Sequence, residues 1–476
     1  MKNLLVMKFG GTSVGSAERM RTAASLAAEQ RAHRPVAVVV SAMSKITDLL
    51  LDTMRMAERG ERDRLAANLK ALEDRHLEAC AQLLPPDRCA ETRPRVRALV
   101  AEFERIANGM AMLAEMPPRS VDEGVAVGER LSALLVSEYL DATGVPAIAV
   151  NARDVIVTDA VHGNATPLME PTREKARALL LPHLAAGRIP IVTGFNGATV
   201  DGRPTTLGRG GSDFSASILA GVLDAAELWI WTDVDGIMSA DPRLVPDAAV
   251  LEEITYREAA ELAYNGAKVL HPRTLAPLME RQIPVISKNS FAPEKLGTRI
   301  VPETSAPRGP RAVTSMSNVA LVSLEPNSAS LNGTRLMARA LAAVSHANAE
   351  LLAISSSSYR QSFCFLVRQT ELPAVMQRLE AGLELELNHG YLKPIEVETE
   401  VGLLAIVGEG MRGTPGLAGR IFTAISRENV NIIAISQGSS ELTIAIVVKL
   451  DGLESAVKAV HGECRLGSKA APALTA

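Results

Sequence analysis

Leu4-Leu5-Val6-Met7-Lys8-Phe9-Gly10-Gly11-Thr12-Ser13 is an apolar run that breaks on a lysine, then on two glycines, and leads into the helical pattern Ala17 to Arg31. A short strand, a glycine turn and a helix with apolar residues three and four apart make up the repeating unit of a parallel α/β sheet. The same alternation continues for about 300 residues. Val36 to Val40, Ala147 to Val150, Ile189 to Thr193, Leu228 to Thr232 and Ile283 to Ile286 read as further strands, and Gly128 to Ala142, Ser212 to Leu223 and Pro272 to Glu280 as helices. Ser212-Asp213 and Pro272 supply helix-start signals. Glu58 to Glu115, rich in Ala, Arg, Glu and Leu, reads as a helical insertion whose arginines form a solvated face.

Pro302 to Pro310, PETSAPRGP, reads as a linker and marks a domain boundary. Beyond it the order is strand Asn318 to Leu324, helix Thr334 to Ser345, strands Leu351 to Ser355 and Phe363 to Val367, and helix Leu372 to Ala381. It returns as Gly402 to Val407, Leu417 to Arg427, Ile432 to Ser436, Leu442 to Val448 and Leu453 to His461, with AISS at Ala353 to Ser356 echoed by AISQ at Ala434 to Gln437. Two tandem βαββα units suggest paired sensor modules. The small-residue tail Lys469 to Ala476 reads as frayed.

At about 150 residues per domain, 476 residues leave room for about three domains. The 50 basic and 54 acidic residues give a formal charge of −4, which provides no global positive field for nucleic acid or an anionic membrane. Aromatic residues, 3% of the chain, are too few for base-stacking platforms. Cys80, Cys89, Cys364 and Cys464 form no CxxC pair or zinc-type spacing, which predicts neither structural disulfides nor a metal knuckle. No apolar run approaches the about 18 residues of a membrane span, and the first residues lack the apolar core of a signal peptide. A soluble, cytoplasmic protein is expected.

Glycines at a strand-to-helix turn let backbone N–H groups approach phosphate oxygens, and the helix that follows favours anions. Lys8 would add a positive charge there, although Lys8 to Ser13 alone also reads as an ordinary tight turn. Leu207-Gly208-Arg209-Gly210-Gly211-Ser212-Asp213 is a second such turn, with Arg209 suited to a carboxylate and Asp213 also readable as a helix cap. Two cationic glycine turns on one sheet suit phosphoryl transfer, with one for each phosphate-bearing side. Trp231-Thr232-Asp233-Val234-Asp235-Gly236 and Asp241-Pro242-Arg243 place acids and hydroxyls near strand ends, where open α/β sheets bind ligands, with Asp235-Gly236 readable as a plain turn. Lys268, in Gly266 to Pro272, reads alone as a snorkelling surface residue. Glu129, following Gly128, reads alone as a helix-start carboxylate.

KFGGTSV (Lys8 to Val14), GRGGSD (Gly208 to Asp213), WTDVDGI (Trp231 to Ile237), DPR (Asp241 to Arg243) and GAKVLHP (Gly266 to Pro272) resemble, in order and spacing, the aspartate kinases of the amino-acid kinase superfamily. The carboxyl-terminal repeats resemble that family's paired ACT regulatory domains. The resemblance implies an α/β fold: a three-layer αβα sandwich over residues 1–305, then two βαββαβ, ferredoxin-like ACT domains over 318–398 and 399–468. Residues 311–317 would lend a strand to the second. With nothing resembling homoserine dehydrogenase after the repeats, the chain resembles the monofunctional form.

The implied activity is ATP- and Mg²⁺-dependent phosphorylation of the L-aspartate side-chain carboxylate to 4-phospho-L-aspartate, the start of the lysine, threonine and methionine route. By motif position the resemblance assigns Lys8 and Asp213 to catalysis. It assigns Ser41, Thr47, Glu129, Arg209 and Ser212 to aspartate, and Lys8, Gly10, Gly11, Thr232, Asp233, Asp241 and Lys268 to the nucleotide. Asn327, Ser330 and Gln437 would bind an amino-acid effector, lysine or threonine or both, and ACT sheets would pair copies into a homodimer or higher oligomer. Met238 stands where many members carry tyrosine, and Ser355 to Tyr359 replaces in the first repeat the Gln437 to Glu441 pattern of the second. A cousin kinase acting on another carboxylate and a non-catalytic amino-acid sensor are the alternative readings.

Overall fold

The computed structural model describes residues 3–267, 269–327, 332–357, 362–411, 414–438 and 442–467. The chain divides into two compact units: Met1–Ile237 with Glu252–Tyr256 and Leu270–Thr304, and Met238–Leu251 with Arg257–Val269 and Ser305–Ala476.

In the first unit, strands β1 (Leu5–Phe9), β2 (Val36–Val40), β3 (Ala147–Val150), β4 (Val157–Thr158), β5 (Ile189–Thr193), β6 (Asn196–Thr199), β7 (Pro204–Thr206), β8 (Glu227–Thr232), β9 (Glu253–Thr255), β10 (Val285–Asn289) and β11 (Thr298–Val301) form two sheets. The large sheet has the order β3-β5-β2-β1-β8-β10-β11-β9, and the small one β4-β6-β7. From β3 to β10 every pairing is parallel, so the carboxyl ends of β1, β2, β5 and β8 open on one edge. These strands are apolar on both faces because helices cover them, as parallel sheets require.

The helices here are α1 (Ala17–Arg31), α2 (Ile46–Glu58), α3 (Arg62–Leu83), α4 (Pro86–Leu113), α5 (Pro118–Ala142), α6 (Met169–Ala185) and α7 (Gly211–Val222); α8 (Tyr256–Tyr264) falls mostly in the second unit, and α9 (Pro272–Arg281) in the first. The insertion expected over Glu58 to Glu115 is therefore mainly α3 and α4, which pack with α2 and α5 into one apolar cluster under β1, β2 and β5. Helix α5 begins ten residues before Gly128, at Pro118, a proline in the first turn. Glu129 is thus in the middle of a helix, which overturns its reading as a helix-start carboxylate. The Cys80 and Cys89 sulfurs lie 3.6 Å apart as free thiols where α3 turns into α4, a proximity that their sequence spacing does not reveal.

The second unit holds one antiparallel sheet of β12 (Ala312–Leu324), β13 (Ala353–Ser356), β14 (Phe363–Arg368), β15 (Glu396–Val407), β16 (Ile432–Gln437) and β17 (Thr443–Lys449), in the order β13-β14-β12-β15-β17-β16. Helices α10 (Gly333–His346), α11 (Leu372–Gly382), α12 (Glu384–Asn388), α13 (Leu417–Arg427) and α14 (Leu453–Glu463) complete it. Strand β12 is continuous from Ala312: residues 312–316 pair with 403–407 of β15, and residues 319–324 with β14. The sheet curls until Ala353–Ser355 and Ala434–Ser436, the echoed segments of the two repeats, line one narrow cleft.

Residues 238–251 and 257–269 group with this unit, although the linker at Pro302 to Pro310 led us to expect them in the first domain. The reason is packing. Ala240 and Val245 are buried with Leu404, Ile406 and Val457, the Ser239 hydroxyl meets His461 Nε2 at 3.0 Å, and Thr443 donates to Glu261 at 2.8 Å.

Candidate functional site

Side chains alternate along a strand. Met7 and Phe9 enter the apolar cluster, so Lys8 between them projects from the opposite face of the sheet, the side of α7. There its Nζ sits 2.6 Å from Asp213 Oδ1 in the first turn of α7. Lys8 is only 8% exposed, which weakens screening by water and strengthens the pair. At Gly10 a β-carbon would come within 3.3 Å of the Lys8 ammonium, so glycine there leaves the cation room. Helix α7 starts from Gly210 in the left-handed region, φ 71°, with no side chain capping it. Such an uncapped start favours an anion. The two glycine-rich turns identified in the sequence thus meet at one ion pair.

Gly11 and the turn after β2 are tied together: Ser44 N–H donates to Gly11 O, and Ser41 N–H to Phe9 O. A β-carbon at Gly11 would lie 3.0 Å from Ala42 O. Thr47 occupies the first turn of α2 just beyond. Under this turn runs α5, where Gly128 allows close approach, since a β-carbon would meet Ala42 Cβ at 2.8 Å. Glu129 is 3% exposed, and its Oε2 has no hydrogen-bond partner. Burial pushes its carboxyl up to about 7, against the opposing pull of the Ala42 N–H bond. A buried carboxylate with a free oxygen calls for a cation.

Arg209 is exposed in the turn before α7, with no side-chain hydrogen bond or ion pair among the described residues. Ser212 approaches Gly194, at the end of β5, so closely that a β-carbon there would meet Ser212 Cβ at 2.7 Å. The carboxyl end of β8 contributes Thr232, whose hydroxyl donates to Asp233 at 3.2 Å. Asp235 accepts from Asn289 at 2.7 Å and Lys295 at 2.6 Å, bonds that hold its carboxyl below the usual carboxylate range. It closes the turn and belongs to that scaffold.

Of the remaining expected ligands, Asp241 lies in the second unit, where its carboxylate holds Arg243. Lys268 and Ser330 fall outside the described residues. Asn327 donates its side-chain amide to Gly390 O at 3.0 Å, while Gln437 ends the edge strand β16 in the other half of the sheet. A cavity of about 320 Å³ opens beside Ser355–Ser357, walled by the Glu325–Lys393 ion pair.

The sequence reading passed over Phe195, Asp122 and His162. Phe195 takes φ 73° and donates its N–H to Ser215 Oγ in α7, fixing that helix to the end of β5. The sequence signal for that turn is Gly194-Phe195 directly after a strand. Among the described residues no three His, Cys, Asp or Glu side chains cluster as a metal cage, and no helix is long and apolar enough to cross a membrane.

Residues 3–289 match the amino acid kinase family and residues 404–464 the ACT domain. Lysine-sensitive aspartokinase 3 of Escherichia coli is 33% identical over 467 residues, covering 97% of this chain and 99% of that protein. The chloroplastic bifunctional aspartokinase/homoserine dehydrogenase 1 of Arabidopsis thaliana is 35% identical over 96% of this chain and 50% of its own length. The chain thus spans about half the length of the bifunctional relatives it matches. The crystal structure of E. coli aspartokinase III with aspartate and ADP superposes with TM-score 0.83 at 32% identity, covering 97% of this chain and 99% of that one. The same enzyme with lysine and aspartate gives 0.78.

Proposed function

Since the chain belongs to the amino acid kinase family and is similar along nearly its whole length to an aspartokinase, we propose that it transfers the γ-phosphoryl group of ATP to the side-chain carboxylate of L-aspartate. The observation that carries this reading is the buried Lys8–Asp213 pair where two glycine-rich turns meet. The acceptor carboxylate is ionised at neutral pH, so no general base is needed, and catalysis reduces to positioning and charge neutralisation. Lys8 neutralises charge on the phosphoryl group in flight, and Asp213 holds that ammonium in place. Glu129 receives the aspartate ammonium on its unpartnered oxygen, and Arg209 its α-carboxylate. Ser41, Thr47 and Ser212 supply hydroxyls. Gly10, Gly11, Thr232 and Asp233 border the nucleotide.

Mg²⁺ would arrive on the nucleotide phosphates, where it offsets their charge. For the second unit we propose amino-acid feedback, with lysine as the first effector to test and threonine the second, and pairing of copies through its sheet. The decisive assay follows ADP release with Mg²⁺-ATP and L-aspartate, L-glutamate, N-acetyl-L-glutamate or UMP, trapping acyl phosphate with hydroxylamine. Hydroxamate from aspartate alone is the expected result, abolished by Lys8→Ala; turnover of another acceptor in its place would sink the assignment.

A further inference from the structure

Among the described residues Arg209 has no side-chain partner, so its position is set by the backbone of the turn that carries it. That turn leaves β7 at Thr206, and Thr206 is held from below. Its hydroxyl donates to Asp122 Oδ1 at 2.5 Å. Asp122 lies on α5, two turns before Glu129, and is 1% exposed. The same carboxylate accepts the Gly163 N–H on both oxygens, at 3.1 and 3.2 Å, and meets His162 Nδ1 at 2.8 Å. A buried carboxylate left without donors is costly, so these four bonds lock two loops onto one helix.

The second loop reaches the glycine turn as well. Ala165 N–H donates to Thr206 O at 2.8 Å, and Asn164 Oδ1 lies where a β-carbon at Gly208 would come within 2.6 Å. Asn164 also accepts from Arg273, whose guanidinium lies 5.1 Å from the Phe214 ring of α7. Asp122 therefore sits at the root of a network that ends on both flanks of Arg209.

We propose that Asp122 is a positioning residue for substrate recognition: through Thr206 and the His162–Gly163 loop it sets the turn bearing Arg209 in register with Glu129 on the same helix. The inference rests on the aspartate-kinase reading. A clasp of this kind governs how well the amino-acid substrate is held and leaves the nucleotide side alone.

The test uses the full chain as wild type, Asp122→Asn and Thr206→Val, the last removing a single donor without touching the carboxylate. Rates are measured with aspartate and ATP varied separately, and amide hydrogen exchange is read without substrate. In both variants the KM for aspartate should rise, by about tenfold or more for Asp122→Asn, with the KM for ATP within about twofold of wild type. Exchange should quicken across residues 162–166 and 206–211 while the rest of α5 stays protected. Unchanged aspartate KM and unchanged exchange would overturn the proposal. So would a rise in both KM values with faster exchange throughout, which marks a merely structural role. If wild type does not turn over aspartate, the functional reading fails on its own, and the exchange pattern still decides whether Asp122 clasps these loops.

Discussion

Glu129 carries a testable pH signature. Its folded-state carboxyl sits at about 7, above the roughly 4.3 of an unfolded glutamate, so the native protein holds a proton that the unfolded chain gives up. Stability contributed by the neutral form is complete below about pH 4 and is lost as pH rises through 7. Glu129→Gln removes this dependence, and its thermal midpoint should gain on that of wild type between pH 5 and pH 8. The same proton links to substrate. An ammonium delivered to Glu129 favours the ionised form, so the KM for aspartate should climb as pH falls below about 7; a flat KM from pH 6 to 8 would refute the pairing. For Asp213→Asn the fold should persist while kcat drops by about 10²–10³, the usual loss when a preorganised charge is disturbed, as read by the ADP-release assay.

Helix α5 shows what a periodic pattern hides. Its apolar spacing is legible from Gly128 onward, and Gly128 reads as the start of the helix. In the fold that glycine is a contact, set against the turn after β2. Gly128→Ala would drive a methyl group to within 2.8 Å of Ala42 Cβ and 3.1 Å of Ile46. We expect a loss of about 1–3 kcal/mol by denaturant unfolding, together with a higher KM for aspartate, because Glu129 moves with its helix. Asp122 was illegible for a different reason: its partners lie 40 and 84 residues downstream, beyond any local window. The glycine turns at Lys8 and Gly208 were legible because each is built from consecutive residues, and the structure brings the two together at the Lys8–Asp213 pair. The α3–α4 hairpin yields one more expectation. Burial raises the Cys80 thiol far above its ordinary range, so neither Cys80 nor Cys89 should react with iodoacetamide at pH 8 until the chain is unfolded, as followed by mass spectrometry.

Across the full chain, the packing does divide at Thr304–Ser305, inside the Pro302 to Pro310 linker, but residues 238–251 and 257–269 also group with the second unit, which the linker alone does not reveal. Composition marks where the backbone is exposed, whereas a core is set by which apolar faces meet, and Ala240 and Val245 meet those of β15 and α14. A chain cut after Thr304 should therefore retain these two residues without their cover. It should bind more of a hydrophobic dye and melt lower than the full-length protein, and equal dye binding would count against this division.

Strand β12 also imposes an order on synthesis. Val407, which pairs with Ala312, lies 95 residues downstream of it. At about 5–20 residues per second a ribosome needs roughly 5–19 s to deliver that neighbour. For that interval the leading half of β12 has emerged with no strand to take its hydrogen bonds, while its trailing half can already engage β14. The sheet must close from its β13-β14-β12 end toward β16, and residues 312–316 are the segment a nascent-chain chaperone would find open the longest.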